Sequence, residues 1–226
     1  MIKLIVAIFA ILFSTTAFSQ TTSALNLDFE TSENGLPSNW KQYGSENYNV
    51  SVDSNHVKNG HYSASLEFTG EAADFTTISF VLPDNYKGKK ITLSGYLKTE
   101  NVVDGYAGLM IRIDPGVAFG DMYRENIKGT TDWTKYELTV YMDPEKTDKI
   151  VVGAALFGEG KMWVDQLEVT VDGKDISEAK IYHRELFPAE EDNEFDAGST
   201  ITDFTPDQQQ INNLATLGRI WGFLKY

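Results

Sequence analysis

The chain has 226 residues, no cysteine and a formal net charge of −14. Without cysteine it has neither disulfides nor thiolate metal sites, so packing alone must stabilise the fold. The acidic balance makes nucleic acid and anionic membrane surfaces unfavourable partners.

Residues 1–19 have the pattern of a secretory signal peptide. Lys3 precedes an apolar run over residues 4–13, and Ala17-Phe18-Ser19 forms a small-x-small cleavage site before Gln20. The alternative, a membrane anchor, is disfavoured because the apolar run is too short for a hydrocarbon core of about 30 Å. The pattern predicts a secreted or periplasmic protein with no membrane attachment after cleavage.

Residues 20–176 are predicted to form an all-β domain. Short runs rich in Val, Ile, Thr, Tyr and Phe are separated by turn residues, and apolar and polar residues alternate clearly within 90–98 and 133–142. Strands are predicted at 25–30, 48–52, 62–68, 75–82, 90–98, 105–113, 133–142, 149–157 and 161–171. Many short strands without helical periodicity predict a two-sheet antiparallel sandwich, specifically a jelly roll.

The predicted sandwich resembles galactose-binding-like domains and carbohydrate-binding modules. The resemblance rests on the opening run 26–30 (NLDFE), Trp40 after a turn, residues 60–63 (GHYS) and the closing run 163–165 (WVD). It implies a non-catalytic binding domain, and it implies a structural Ca²⁺ where the first and last strands meet.

The calcium ligands implied by this resemblance are Glu30, Gly60 through its carbonyl oxygen, and Asp165, with Asp28 as a further candidate. Hard oxygen ligands of this kind are those that Ca²⁺ takes. The alternative is that these acids face solvent at strand ends, as most acidic side chains do.

A ligand site is predicted on the polar face of the sandwich. Tyr96 and Tyr141 lie among polar residues of their strands, and Tyr106 shares its side of the strand with Gly108, Met110 and Arg112. Tyrosine rings with an arginine and a glycine suit a sugar ring. The alternative is that the rings pair across strands or pack on a following domain. Three tryptophans are predicted to be buried in the core: Trp40, Trp133 and Trp163.

Two further segments follow the sandwich. Residues 177–204 are rich in acids and are predicted to be a linker, with a short helix at 177–185. In 205–226 apolar residues recur every three or four positions after Pro206, which is predicted to occupy the first helical position. We expect this helix to be the start of a helical domain that is truncated here, with Trp221 packing against the missing part.

The C-terminal run 213–226, NLATLGRIWGFLKY, resembles the opening helix of secreted bacterial serine peptidases of the tricorn-like, carboxy-terminal-processing family. Residues 93–102, 105–109 and 129–133 resemble the β-rich domain that often precedes this helix. The resemblance implies an accessory domain that positions substrate or braces a protease, with the missing C-terminal protease domains of the same polypeptide as its partner. The family's catalytic serine and lysine would lie beyond residue 226, so no catalytic residue is assigned to this chain.

The sequence is also compatible with two other functions. One is a carbohydrate-binding module that tethers a secreted protein to a glycan; a peptide is a further ligand class. The other is a stand-alone enzyme, although His56, His61 and His183 are the only histidines and none accompanies a GxSxG motif.

Overall fold

The computed structural model describes residues 25–185, 193, 196–198 and 203–225. The predicted signal peptide and part of the predicted linker lie outside these residues. The chain divides into two compact units, Met1–His183 and Arg184–Tyr226. No helix within the described ranges is both long enough and apolar enough to cross a membrane.

The first unit is a β-sandwich with a small hairpin. The strands are β1 (Ser32–Glu33), β2 (Leu36–Pro37), β3 (Lys41–Gly44), β4 (Tyr48–Asp53), β5 (Ser63–Phe68), β6 (Phe75–Val81), β7 (Lys90–Asp114), β8 (Ala118–Asp121), β9 (Ile127–Tyr141), β10 (Lys149–Val171) and β11 (Lys174–Asp175). All pairs are antiparallel, and the two-layer all-β prediction is confirmed.

Two long strands, β7 and β10, run through both layers. The first layer has the order β3–β6–β10–β7–β8 and uses the start of β10 and the end of β7. The second layer has the order β4–β5–β10–β7–β9 and uses the other halves. Each long strand was predicted as two short ones, because bulges near Gly158 and Gly160 interrupt the alternation where the strands bend between layers.

The core lies between the layers. Within 91–97 and 107–113 of β7, odd-numbered residues such as Leu93, Leu97 and Leu109 are fully buried, as are Val152 and Val164 of β10. They form one apolar cluster with side chains from both layers. The even-numbered residues of these two parts of β7 therefore point outward.

The predicted first strand at 25–30 is wrong. Residues 25–28 form a turn, and positive φ angles at Asn26 and Phe29 break the extended backbone. The buried Asn26 side chain donates to the carbonyl oxygens of Thr31 and Ser38, at 2.8 and 3.1 Å. Trp40 closes over this turn by donating its indole N–H to the Asn26 carbonyl.

The structure also differs from the predictions for Trp133 and for residues 177–185. Trp40 and Trp163 are buried, but Trp133 is only half-buried on edge strand β9. The predicted helix at 177–185 is replaced by a single 3₁₀ turn, Ile176–Glu178, followed by a bridge between Ile181 and Tyr86.

In the second unit, helix α1 spans Gln208–Lys225. Asp207 is its N-cap, since its carboxylate accepts the Gln210 N–H at 2.8 Å while the Gln210 side chain accepts the Asp207 N–H at 2.9 Å. Pro206 therefore precedes the cap instead of occupying the first helical position. Trp221 and Phe223 are exposed in this structure, by 68% and 85%.

Candidate ligand-binding groove

A groove crosses the outer face of the first layer, perpendicular to its strands. Its floor consists of two cross-strand rows of mostly small residues. One row has Thr77 and Ala155, and the next has Ser79, Gly153 and Met110. The cavity above has a volume of about 720 Å³, within the range of ligand sites.

One side of the groove is an aromatic row, which we define as Tyr43, Phe75, Phe157, Tyr106 and Tyr123. Phe157 stacks on Phe75 and on Tyr106 with ring centroids 5.5 and 4.5 Å apart. Because these faces are covered by their neighbours, the middle of the row presents ring edges. At the two ends, Tyr43 and Tyr123 are each 69% exposed and supply free aromatic surface.

The opposite side combines apolar and charged groups. Val151 lies between Val81 and Arg112, and Arg112 pairs in register with Phe119 of β8, which is 63% exposed. Lys149, the first residue of β10, also lines this side. This side therefore offers both apolar contact and hydrogen-bond donors.

Asp121 and Asp114 hold the polar groups of the groove in place. The Tyr106 hydroxyl donates to Asp121 Oδ2 at 2.8 Å, and burial together with this bond raises the pKa of Tyr106, which stays a neutral donor. Asp114 accepts Arg112 Nε at 3.1 Å and Lys149 Nζ at 3.3 Å. Both cationic side chains remain nearly half exposed.

A second depression, of about 420 Å³, lies on the far side of the aromatic row. Tyr106 and Phe157 line both cavities, and Asp74, Asp104 and Lys128 add polar groups to the second one. The aromatic row is thus a ridge between two depressions.

The four predicted ligand residues fall on opposite sides of the sandwich. Tyr106 and Arg112 line the groove. Tyr96 and Tyr141 point outward from the second layer, where Lys58 Nζ lies 4.6 Å from the Tyr96 ring centroid and Lys90 Nζ lies 5.3 Å from that of Tyr141. Tyr96 and Tyr106 belong to one strand, and the bend between them turns their side chains in opposite directions.

Several groove residues were not predicted from the sequence. Lys41 and Tyr43 lie on β3, and Phe119 lies on β8, neither of which was predicted as a strand. Phe75 and Phe157 lie within predicted strands. Both are odd-numbered, whereas Ile78 and Leu156 of the same strands are even-numbered and buried. The alternation of apolar and polar residues could have shown that these two rings point outward. It does not indicate which residues of the neighbouring strands lie beside them.

The predicted calcium residues hold the loop at 58–62 in place. Glu30 accepts the backbone N–H groups of His61 and Tyr62, at 2.8 and 3.1 Å. The fully buried Asp165 accepts those of Lys58 and Asn59, at 2.8 and 3.1 Å. Gly60 lies so close to the Glu30 carboxylate that a Cβ there would stand 2.2 Å from Oε1.

This arrangement provides few ligands for Ca²⁺, which takes six to eight oxygens. Each oxygen of both carboxylates already accepts a backbone N–H. Within the described ranges, no group of three or more His, Cys, Asp or Glu side chains is placed to share a metal ion. Asp28 lines a different depression, beside Gln166 and Leu167. Calcium binding here stays a prediction.

Comparison with known proteins gives one similarity in sequence and several in structure. No protein-family model matches the chain. The uncharacterised HTH-type transcriptional regulator YbfP of Bacillus subtilis is 31% identical over 129 residues, 53% of this chain. The chain spans only 42% of the length of that relative.

Three solved structures with similar folds illustrate the architecture. They are the CBM22-1 xylan-binding domain of Paenibacillus barcinonensis Xyn10C (14% identity, 64% of this chain and 90% of that one, TM-score 0.44), TmCBM61 in complex with β-1,4-galactotriose (15%, 65% and 95%, 0.45) and the Stig cyclase Fisc of Fischerella sp. TAU (14%, 66% and 96%, 0.48). No TM-score among these three reaches 0.5, so these similarities do not bear on what this chain binds.

Proposed function

We propose that the first unit is a glycan-binding module that takes its ligand in the groove across the first layer. The observation that carries the proposal is the combination of a shallow floor, exposed aromatic rings and hydrogen-bonding side chains in one elongated cavity. A sugar ring has apolar C–H faces and a polar hydroxyl edge, so it needs both kinds of contact from its site.

The groove meets both needs. Tyr43 and Phe119 offer uncovered ring surface in the groove, since each is more than half exposed. Arg112 and Lys149 offer donors. The small side chains of Thr77, Ser79 and Ala155 leave room above the sheet, so a chain of linked sugars can lie across several strands.

The experiment is native affinity electrophoresis of the full chain in gels that contain soluble polysaccharides, neutral and acidic. We expect retarded migration in at least one gel. Tyr43→Ala should weaken that binding about tenfold, because an aromatic contact contributes about 0.5–1.5 kcal/mol beyond the area it buries.

Tyr141→Ala is the matched control. Tyr141 is as exposed as Tyr43, at 72% against 69%, but it lies on the second layer. Retention lost in Tyr141→Ala and Tyr96→Ala but kept in Tyr43→Ala would move the site to the second layer. Migration unaffected by every polysaccharide would refute glycan binding altogether.

An accessory role in a serine peptidase is the second candidate, and it rests on the resemblance of residues 213–226. The similarities reported above include no peptidase. The test is the sequence that encodes the region after residue 226, where an in-frame Tyr-His-Pro would support that parent protein. A regulatory role on DNA is disfavoured by the net charge of −14.

A further inference from the structure

The charges in the groove differ from those of the molecule as a whole. The chain carries 33 acidic and 19 basic residues. The groove, in contrast, is lined by Lys41, Arg112 and Lys149 and by one carboxylate, that of Asp121. A local excess of cations on an acidic protein points to a ligand of opposite charge.

We propose that the groove selects an anionic glycan, one whose sugar units carry carboxylate groups. This inference rests on the proposed glycan-binding function and adds the ligand class. Two observations support it: the hydrogen-bond and ion-pair partners of the carboxylates near the groove, and the spacing of the cations.

Both carboxylates near the groove have partners of their own. Asp121 accepts the Tyr106 hydroxyl on Oδ2 and the Tyr123 N–H on Oδ1, at 3.1 Å. Asp114 accepts one nitrogen each from Arg112 and Lys149. The charge of Asp114 is balanced by these two cations, whereas Asp121 keeps its charge, so three cations stand against two carboxylates at the groove.

The cations, by contrast, have N–H donors that the contacts with Asp114 do not use. The contact with Asp114 uses one of the five N–H donors of a guanidinium and one of the three of an ammonium group. The Arg112 and Lys149 side chains are 44% and 49% exposed. Within residues 25–185, Lys41 has no ion-pair partner.

The spacing of these cations suits a polymer better than a single anion. Lys41 lies on β3 and Arg112 on β7, three strands apart in the order β3–β6–β10–β7. At about 4.8 Å per strand, the two backbones are about 14 Å apart across the sheet. A glycan that crosses the strands would place carboxylates of different sugar units near the two ends of the groove.

The test compares soluble polyuronates with their carboxyl-reduced forms, in which each carboxylate has become a neutral alcohol on the same backbone. Polygalacturonate, alginate and glucuronoxylan form the panel, and the full chain is assayed by affinity electrophoresis and by calorimetry. We expect at least one polyuronate to bind tenfold or more tightly than its reduced form, with an affinity that falls as salt rises.

Charge-neutralising variants assign the effect to the groove. Lys41→Gln and Lys149→Gln should each lower the affinity for that polyuronate several-fold and lower the affinity for its reduced form less, because only the polyuronate loses a charge partner. Lys135→Gln is the control, because Lys135 is 46% exposed and paired with Glu168 on the second layer, much as Lys149 is paired with Asp114. An equal loss in Lys135→Gln would reveal non-specific attraction and overturn the proposal.

Failure of this inference is distinguishable from failure of the proposed function. Equal binding of the polyuronates and their reduced forms, or binding of neutral glycans only, would overturn the anionic preference and keep a glycan-binding groove. Absence of binding to every polysaccharide, charged or neutral, would overturn both.

Discussion

Asp53 shows how single residues stabilise the loops of the sandwich. Its Oδ2 accepts the Trp163 indole N–H at 2.8 Å and contacts His56 Nδ1 at 3.3 Å, while Oδ1 accepts the Asn55 and His56 backbone N–H groups. Burial alone would raise the pKa of Asp53, but the hydrogen bonds from Trp163, Asn55 and His56 outweigh it and lower the pKa to about 2.

Acid should therefore destabilise the sandwich through Asp53. The pKa is about 3.9 in the unfolded chain, so the stabilisation is present above that pH and is lost as the pH falls from about 4 towards 2. We expect Asp53→Asn to lower the free energy of unfolding at pH 7 by about 1–3 kcal/mol and to flatten the acid dependence. Urea denaturation followed by tryptophan fluorescence between pH 7 and pH 2 measures both.

The control for this prediction is Asp132→Asn, which changes an exposed carboxylate paired with Lys98. It should alter the stability little, because exposed ion pairs contribute little. An Asp53→Asn variant with wild-type stability and an unchanged acid profile would contradict the role assigned to Asp53.

At the scale of elements, the floor of the groove depends on how closely β6 and β10 approach each other. Gly153 of β10 pairs with Ser79 of β6, and a Cβ at position 153 would stand 2.2 Å from the Ile78 carbonyl oxygen. A Cβ at that distance overlaps backbone, so no side-chain movement relieves it. Glycine here therefore allows the two strands to pair and leaves the floor flat.

Gly153→Ala should destabilise the sandwich by about 1–3 kcal/mol, because the pair of strands must shift to admit a methyl group. Ser79→Ala is the matched control, since it changes the paired floor residue without adding a Cβ and should cost less than about 0.5 kcal/mol. Chemical denaturation of the two variants distinguishes them. Equal stabilities would show that the strands separate without cost at this point.

At the scale of the whole molecule, Glu30 and Asp165 fasten the loop at 58–62 to distant parts of the chain. Both carboxylates act through backbone N–H groups, and the calcium prediction adds a bound ion to them. Binding to the folded state alone raises stability by mass action, by about 2.7 kcal/mol at a concentration one hundred times the Kd. The calcium prediction thus expects a higher melting temperature in millimolar Ca²⁺ than in chelator.

Glu30→Gln distinguishes the contribution of a bound ion to the melting temperature from that of the hydrogen bonds. The variant should melt at a lower temperature than the wild type in both solutions, because the amide loses acceptor capacity towards His61 and Tyr62. Only the difference between the two solutions tests calcium, and that difference should shrink in Glu30→Gln. Identical melting curves of the wild type with and without Ca²⁺ would refute the calcium prediction.

The class of fold and most strand positions follow from the amino-acid sequence. Alternation of apolar and polar residues is a local signal, so it predicted the two faces of β7 and β9 and the burial of Leu93 and Leu97. The same signal placed Tyr106 and Arg112 on an outer face. It also placed Tyr96 there, without indicating which of two outer faces each residue occupies.

Which side chains form one site depends on how the strands are arranged in three dimensions. The groove is made by cross-strand register between distant segments, such as Phe75 and Phe157, and no local pattern encodes which strands become neighbours. Bending of β7 and β10 between layers put Tyr96 and Tyr106 on opposite sides of the sandwich. Long-range pairing, which depends on how the whole core packs, therefore determined the site, whereas local alternation determined the fold.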